Sequence, residues 1–168
     1  MIYSLHIYTR SGSCLYQEKW NTGATKAVSY SDPEEEKRLL FGLLFSLKEF
    51  VFKLAPTTAN GDGLAAVNGS SGGSDQALMA PQMEGMQRYQ TNAYTCHQYE
   101  TPSGLRFIMM TDNQAGDLSA VLKHIYSYIY VEYVVNNPLS DIKGAKTINS
   151  QVFKMQLRHY VEGLACFR

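Results

Sequence analysis

The chain has 168 residues, of which 45% are hydrophobic, and its 15 basic residues balance 15 acidic ones. This length suits one folded domain with its own core and is short for two. Because the basic residues are scattered and carry no net excess, the composition excludes the electrostatic footprint typical of nucleic-acid-binding and anionic-lipid-binding proteins.

Residues 2–9 and 14–20 are two runs rich in β-branched and aromatic side chains, separated by Arg10-Ser11-Gly12-Ser13. Gly12 can adopt the positive φ of a tight turn, so we predict an N-terminal β-hairpin. The first run is polar at Ser4 and His6 and has no basic leader, which favours a strand over a signal peptide.

The sequence Asp32-Pro33-Glu34-Glu35 predicts the start of a long helix. Asp32 is a capping residue, Pro33 suits the first helical position, and acidic residues stabilise the positive end of the helix dipole. We expect this helix to end near Ala55, before Pro56.

Two apolar arcs appear when the first helix is projected at about 100° per residue. We predict that the wider arc is the core face: Leu40, Leu43, Leu44, Leu47, Phe50, Val51 and Leu54. Beyond Lys48 lies a second arc, which contains Phe41, Phe45 and Phe52. Either the core face curls around to reach these phenylalanines or they contact a partner, and the cost of leaving them in water favours a partner.

Residues 57–85 are rich in Gly, Ser, Ala, Asn and Asp and have no sustained periodicity. The composition predicts a flexible insertion. Such a long segment within one domain is either a disordered excursion, which is the simpler interpretation, or an arm that binds a partner.

Three further strands are expected: a short one after Arg88, a longer one near 94–100, and a last one at Leu105–Thr111. Thr101-Pro102-Ser103-Gly104 predicts the turn before the last strand. Both alternating faces of that strand are apolar, which indicates a sheet covered on both sides.

Two helices complete the chain. The first is predicted over about Leu118–Asn136, before Asn137-Pro138, and the second is capped by Asn149 or Ser150. One stripe of the earlier helix is expected to face the core: Leu118, Leu122, Ile125 and Ile129. A second stripe is predicted to be a partner surface because tyrosine suits interfaces: Tyr126, Tyr130 and Val134.

The predicted order ββαβββαα gives a single α+β domain over residues 1–168, with a five-stranded antiparallel sheet, one helix on one face and two on the other. This is the order of the longin, or sedlin-like, fold. Four runs strengthen the likeness: Leu43–Lys48, Tyr99–Gly104, Thr111-Asp112 and His124–Leu139. The chain from Tyr3 to about Leu164, apart from the insertion, resembles the sedlin-type subunits of the TRAPP vesicle-tethering complex.

This resemblance implies a structural subunit without its own catalysis, which contributes to a composite guanine-nucleotide exchange surface for a Rab-family GTPase in endoplasmic-reticulum-to-Golgi transport. The implied partners are other TRAPP subunits and, through the assembled complex, the GTPase. The implied location is cytoplasmic and peripheral to Golgi and endoplasmic reticulum membranes, with membrane contact only through the complex. The alternative is a longin-type small chain of a clathrin-adaptor-like complex, which is expected to lack the Tyr99–Gly104 hairpin.

No catalytic template fits the sequence, so we predict no cofactor, no metal and no catalytic residue. Neighbouring residues of a strand point to opposite faces, so Cys96 and His97 cannot easily share a metal. Asp112 and Asp117 flank the entrance to the second helix, and we interpret them as capping residues. The three cysteines lack framework spacing, which is typical of a reducing compartment. A small stand-alone enzyme is the least favoured alternative.

Overall fold

The computed structural model describes residues 1–20, 32–54, 87–138 and 147–167. Within them lie five strands: β1 (Ile2–Tyr8), β2 (Cys14–Lys19), β3 (Arg88–Gln90), β4 (Thr95–Glu100) and β5 (Arg106–Thr111). The helices are α1 (Pro33–Leu54), α2 (Ser119–His124), which continues as a π-helical segment (Ile125–Val135), and α3 (Gln151–Glu162). The predicted insertion at 57–85 lies outside the described residues.

The strands form one antiparallel sheet in the order β2-β1-β5-β4-β3. This confirms the predicted five-stranded α+β fold. Tight turns at Gly12 and Gly104, with φ values of 90° and 84°, connect β1 to β2 and β4 to β5. Both turns fall where the sequence predicted them, because glycine adopts a positive φ at little cost.

Helices cover both faces of the sheet, as the two apolar faces of β5 require. On one face, the large core contains Leu5 and Phe107 of the sheet together with residues of α2, the π segment and α3. On the other face, a smaller cluster joins Tyr8, Cys96 and Ile108 to Leu44 of α1. No helix within the described ranges is long and apolar enough to cross a membrane.

The second predicted helix has the expected extent but an unexpected geometry. Its later part is π-helical, and it ends with a hydrogen bond from the Asn136 amide to the Val131 carbonyl at 2.8 Å, five residues back. Because nearly every residue from 125 to 135 is apolar or tyrosine, the sequence carries no periodic signal that separates a π turn from an α turn.

Candidate interaction surface

α1 begins as its sequence predicts, and its middle is seated on the sheet. The Asp32 carboxylate accepts a hydrogen bond from the Glu34 amide at 2.9 Å, which satisfies one of the free amides at the helix start. Leu44 is 1% exposed and packs into the smaller cluster, with Leu40 and Phe41 partly buried beside it. The contact between α1 and the sheet is therefore centred on one leucine.

Polar bonds hold α1 on either side of Leu44. The Tyr8 hydroxyl donates to the Lys37 carbonyl at 3.0 Å, and the Lys48 ammonium lies 2.7 Å from the Glu100 carboxylate. The Arg106 guanidinium lies 5.1 Å from the centre of the Phe41 ring, a distance at which cation–π attraction operates. The inward side of α1 thus combines a narrow apolar contact with a polar border.

The outward side of α1 is the apolar one. Large apolar side chains lie exposed along it from Leu39 to the end of the helix, and the most exposed are Leu54 at 65% and Phe50 at 59%. We call this set the outer stripe: Leu39, Leu43, Phe50 and Leu54. It spans about 22 Å at about 1.5 Å per residue. Contiguous exposed apolar surface of this kind is typical of sites of protein–protein contact.

The prediction that the wider arc is the core face is wrong for most of its members. Leu44 is buried and Leu40 partly so, whereas Leu43, Phe50 and Leu54 face outward. The inward direction falls at the border between the two predicted arcs, where Lys48 reaches Glu100. Lys48, between the two apolar arcs, was the available signal of the inward direction. Its pairing with Glu100 of the sheet cannot be predicted from the helix sequence alone.

The three phenylalanines of the second arc do not share one environment. Phe41 packs against Tyr8, with ring centres 5.5 Å apart, so the core reaches it as the alternative interpretation allowed. Phe45 stacks on Phe41 at 6.5 Å and remains 48% exposed, at the edge of the helix. The side chain of Phe52 lies outside the described part of the chain. Contact of Phe45 with another protein stays a prediction.

The second predicted partner surface is mostly core. Tyr130 and Val134 are 4% and 2% exposed, because the π segment turns them toward the sheet, where Tyr130 meets Phe107 edge-on at 5.5 Å. Both were predicted to face a partner, and their burial within this chain corrects that prediction. Tyr126 is partly buried and packs against Tyr99 with ring centres 6.0 Å apart.

Groups that can act in catalysis are mostly buried or engaged. Burial lowers the pKa of His6 to about 4 and raises that of the Cys96 thiol to about 12, so both are neutral near pH 7. Asp117 accepts hydrogen bonds from the amide and the hydroxyl of Ser119, the first residue of α2. The described residues contain no group of three or more His, Cys, Asp or Glu that could hold a metal ion.

Cys96 and His97 face opposite sides of the sheet, as strand geometry predicts. Cys96 belongs to the cluster under α1. The His97 Nε2 lies 3.2 Å from the Thr111 hydroxyl, on the side of α2. The surface that stands out in the described part of the chain is therefore one for docking, formed by the outer stripe with Phe45 at its edge.

Comparison with known proteins gives matches along the whole chain. A model of the Sybindin-like family matches residues 2–164. Trafficking protein particle complex subunit 1 of Rattus norvegicus is 32% identical over 166 residues, covering 99% of this chain and 95% of the relative. The proteins of the same name from Homo sapiens and Dictyostelium discoideum are each 34% identical, covering 99% of this chain and 95% and 99% of the relatives.

Proposed function

The chain belongs to the Sybindin-like family, and we propose on that premise that it is a subunit of a trafficking protein particle complex and acts by docking to other subunits. The family match confirms the resemblance to sedlin-type TRAPP subunits. The observation that carries the proposed mode of action is the outer stripe, where large apolar side chains lie in water. Burial of one such side chain stabilises a complex by about 1.5–3 kcal/mol, so a stripe of four is a strong docking surface.

We further propose that the assembled complex, with this chain in it, promotes guanine-nucleotide exchange on a Rab-family GTPase in endoplasmic-reticulum-to-Golgi transport. Exchange of this kind needs no acid, base or metal. A surface that binds the nucleotide-free conformer of a GTPase more tightly than the nucleotide-bound one shifts the equilibrium toward release. The chain contributes part of that surface, and it reaches the cytoplasmic side of Golgi and endoplasmic reticulum membranes through its partners.

The neutral His6 and Cys96 and the hydrogen bonds that Asp117 accepts from Ser119 support a subunit without its own catalysis. Each of these groups is explained by the fold, which leaves the chain's contribution to the complex in its surfaces. In this account the exchange activity belongs to the assembly and appears only when the partner subunits complete the composite surface.

Release of a fluorescent guanine nucleotide from the cognate Rab tests the proposal with three samples. These are the isolated chain, the assembled complex, and a complex prepared without this chain. We expect fast release only in the sample with the assembled complex. Fast release by the isolated chain would make it a self-sufficient exchange factor, and undiminished release by the complex without it would remove it from the exchange surface.

A further inference from the structure

An aromatic stack lies on the face of the molecule opposite α1. The His124 imidazole is stacked between two tyrosines, with 4.6 Å between ring centres to Tyr128 and 4.6 Å to Tyr160. The tyrosine planes are tilted by 27° and 23° from the imidazole plane, so both contacts are stacked rather than edge-on. Tyr128 ends the stack and is 66% exposed, which leaves much of its ring open to a ligand.

The stack borders an open cleft of about 420 Å³ between the π segment and α3. Tyrosine and histidine rings line it from both elements, together with the carboxylate of Glu132. Glu132 follows Tyr128 by four residues on the π segment, so the carboxylate and the end of the stack belong to the same side of one helix. The cleft therefore joins aromatic faces to a negative charge.

Glu132 is available for a cation. It accepts one hydrogen bond, from the Asn136 side-chain amide at 3.4 Å. Within the described ranges, the ion pairs join other residues and none includes Glu132. A carboxylate without a cation, beside an exposed aromatic face, is complementary to a planar positively charged group.

We propose that this cleft binds an arginine side chain presented by a neighbouring protein. A guanidinium is planar, stacks on an aromatic ring and donates paired hydrogen bonds to a carboxylate, whereas an ammonium is a compact, strongly hydrated charge. Tyr128 supplies the stacking face and Glu132 the acceptor. That the neighbour is another subunit of the complex rests on the proposed function, but binding of the guanidinium to the cleft does not.

The test is a titration of the full isolated chain with N-acetyl-arginine amide, followed by NMR. N-acetyl-citrulline amide, which has the same shape without the charge, and N-acetyl-lysine amide are the comparison probes. The protein samples are wild type, Tyr128→Ala and Glu132→Gln. Glu162→Gln is the matched control, because Glu162 is a carboxylate of α3 that does not line the cleft.

We expect the arginine probe to cause saturable shifts at the amides around Tyr128 and Glu132. Affinity is expected to fall at least about fivefold in Tyr128→Ala and Glu132→Gln, as loss of a cation–π contact or an ionic hydrogen bond implies, and to stay unchanged in Glu162→Gln. Equal binding of citrulline, tighter binding of lysine, shifts elsewhere only, or equal affinity in every variant would overturn the proposal. Circular dichroism of each variant checks the fold. If only Glu132→Gln has an altered spectrum, the affinity of Tyr128→Ala for the arginine probe decides.

Discussion

Gly12 closes the turn between β1 and β2 with a φ of +90°, and a Cβ at this position would lie 2.8 Å from Cε1 of Phe41. A residue with a side chain is strained at this φ. The added methyl group also displaces the Phe41 ring, through which α1 packs on the sheet. We expect Gly12→Ala to lower the free energy of unfolding by about 1–3 kcal/mol, measured by urea denaturation.

Gly42 is the matched control for that substitution. It lies within α1, and a Cβ there would meet nothing within 4 Å. Because alanine is a better helix former than glycine, Gly42→Ala is expected to raise the free energy of unfolding by about 0.5–1 kcal/mol. Equal effects at the two glycines would contradict the geometry of the turn.

His6 gives the protein a predictable dependence on pH. Its side chain is buried beside Tyr8 and within reach of Gln17, and burial followed by the charges of Lys19 and Lys37 lowers its pKa from 6.5 to about 4. The unfolded chain binds a proton below pH 6.5 that the folded chain does not bind until about pH 4. The stabilising contribution is therefore complete above pH 6.5 and is lost as the pH falls toward 4.

Urea denaturation at pH 7 and pH 5 measures this effect. We expect the free energy of unfolding of the wild type to fall by about 2 kcal/mol more than that of His6→Gln between these two pH values. His97, whose pKa is also lowered by burial, shifts both proteins equally and does not affect the comparison. A loss that is the same with and without His6 would show that folding does not lower the pKa of this histidine.

Local sequence signals were sufficient to predict features formed by residues that are close in sequence. The Asp32 and Ser150 caps and the turns at Gly12 and Gly104 are short-range features, and the structure contains each of them. The sequence predicts a partner contact for Tyr130 because tyrosine suits interfaces. Its burial depends on Phe107, which is distant in sequence, so no local signal shows it. Periodicity finds an apolar stripe, but it does not distinguish a stripe that meets the chain's own sheet from one that meets another protein.

α1 shows, for a whole helix, the difference between features set by the local sequence and features set by residues distant in sequence. Its start was predicted from Asp32 and Pro33 and its end from Pro56, but the predicted orientation is wrong, because the apolar residues of the helix form two arcs and either could face the sheet. The sheet beneath α1 places polar Glu100 and Arg106 beside Tyr8. Those neighbours are brought together only by the strand order, so the orientation of α1 could not be read from the helix sequence.

Adjacent leucines of α1 test its orientation. Leu44 is fully buried and Leu43 is exposed. Leu44→Ala is expected to lower the free energy of unfolding by about 2–4 kcal/mol, because it leaves a cavity under the helix, whereas Leu43→Ala is expected to cost less than about 1 kcal/mol. Thermal or urea unfolding of the pair decides between the observed orientation and the one predicted from the wider arc, which would make both substitutions costly.

In the described part of the molecule, a proposed docking surface lies on each side of the sheet. The outer stripe lies on α1, on one face of the sheet. The aromatic cleft lies between the π segment and α3, on the opposite face. The sheet and its layers were predictable, because hairpin signals and the two apolar faces of β5 leave few arrangements. Which surfaces remain uncovered depends on how all the elements pack together.

Assembly of the complex with altered outer stripes tests the central claim most directly. The chain, co-expressed with the other subunits of the trafficking protein particle complex, is compared as wild type, Phe50→Glu and Val152→Glu by native mass spectrometry. Val152 is an exposed apolar residue of α3, far from α1 in sequence, and serves as the matched control. Circular dichroism of each isolated chain shows whether it is folded.

We predict that wild type and Val152→Glu enter the complex fully, and that Phe50→Glu stays folded but is absent from it, since a buried charge at a docking surface is strongly unfavourable. Full incorporation of Phe50→Glu would contradict the claim that the outer stripe holds this chain in its assembly.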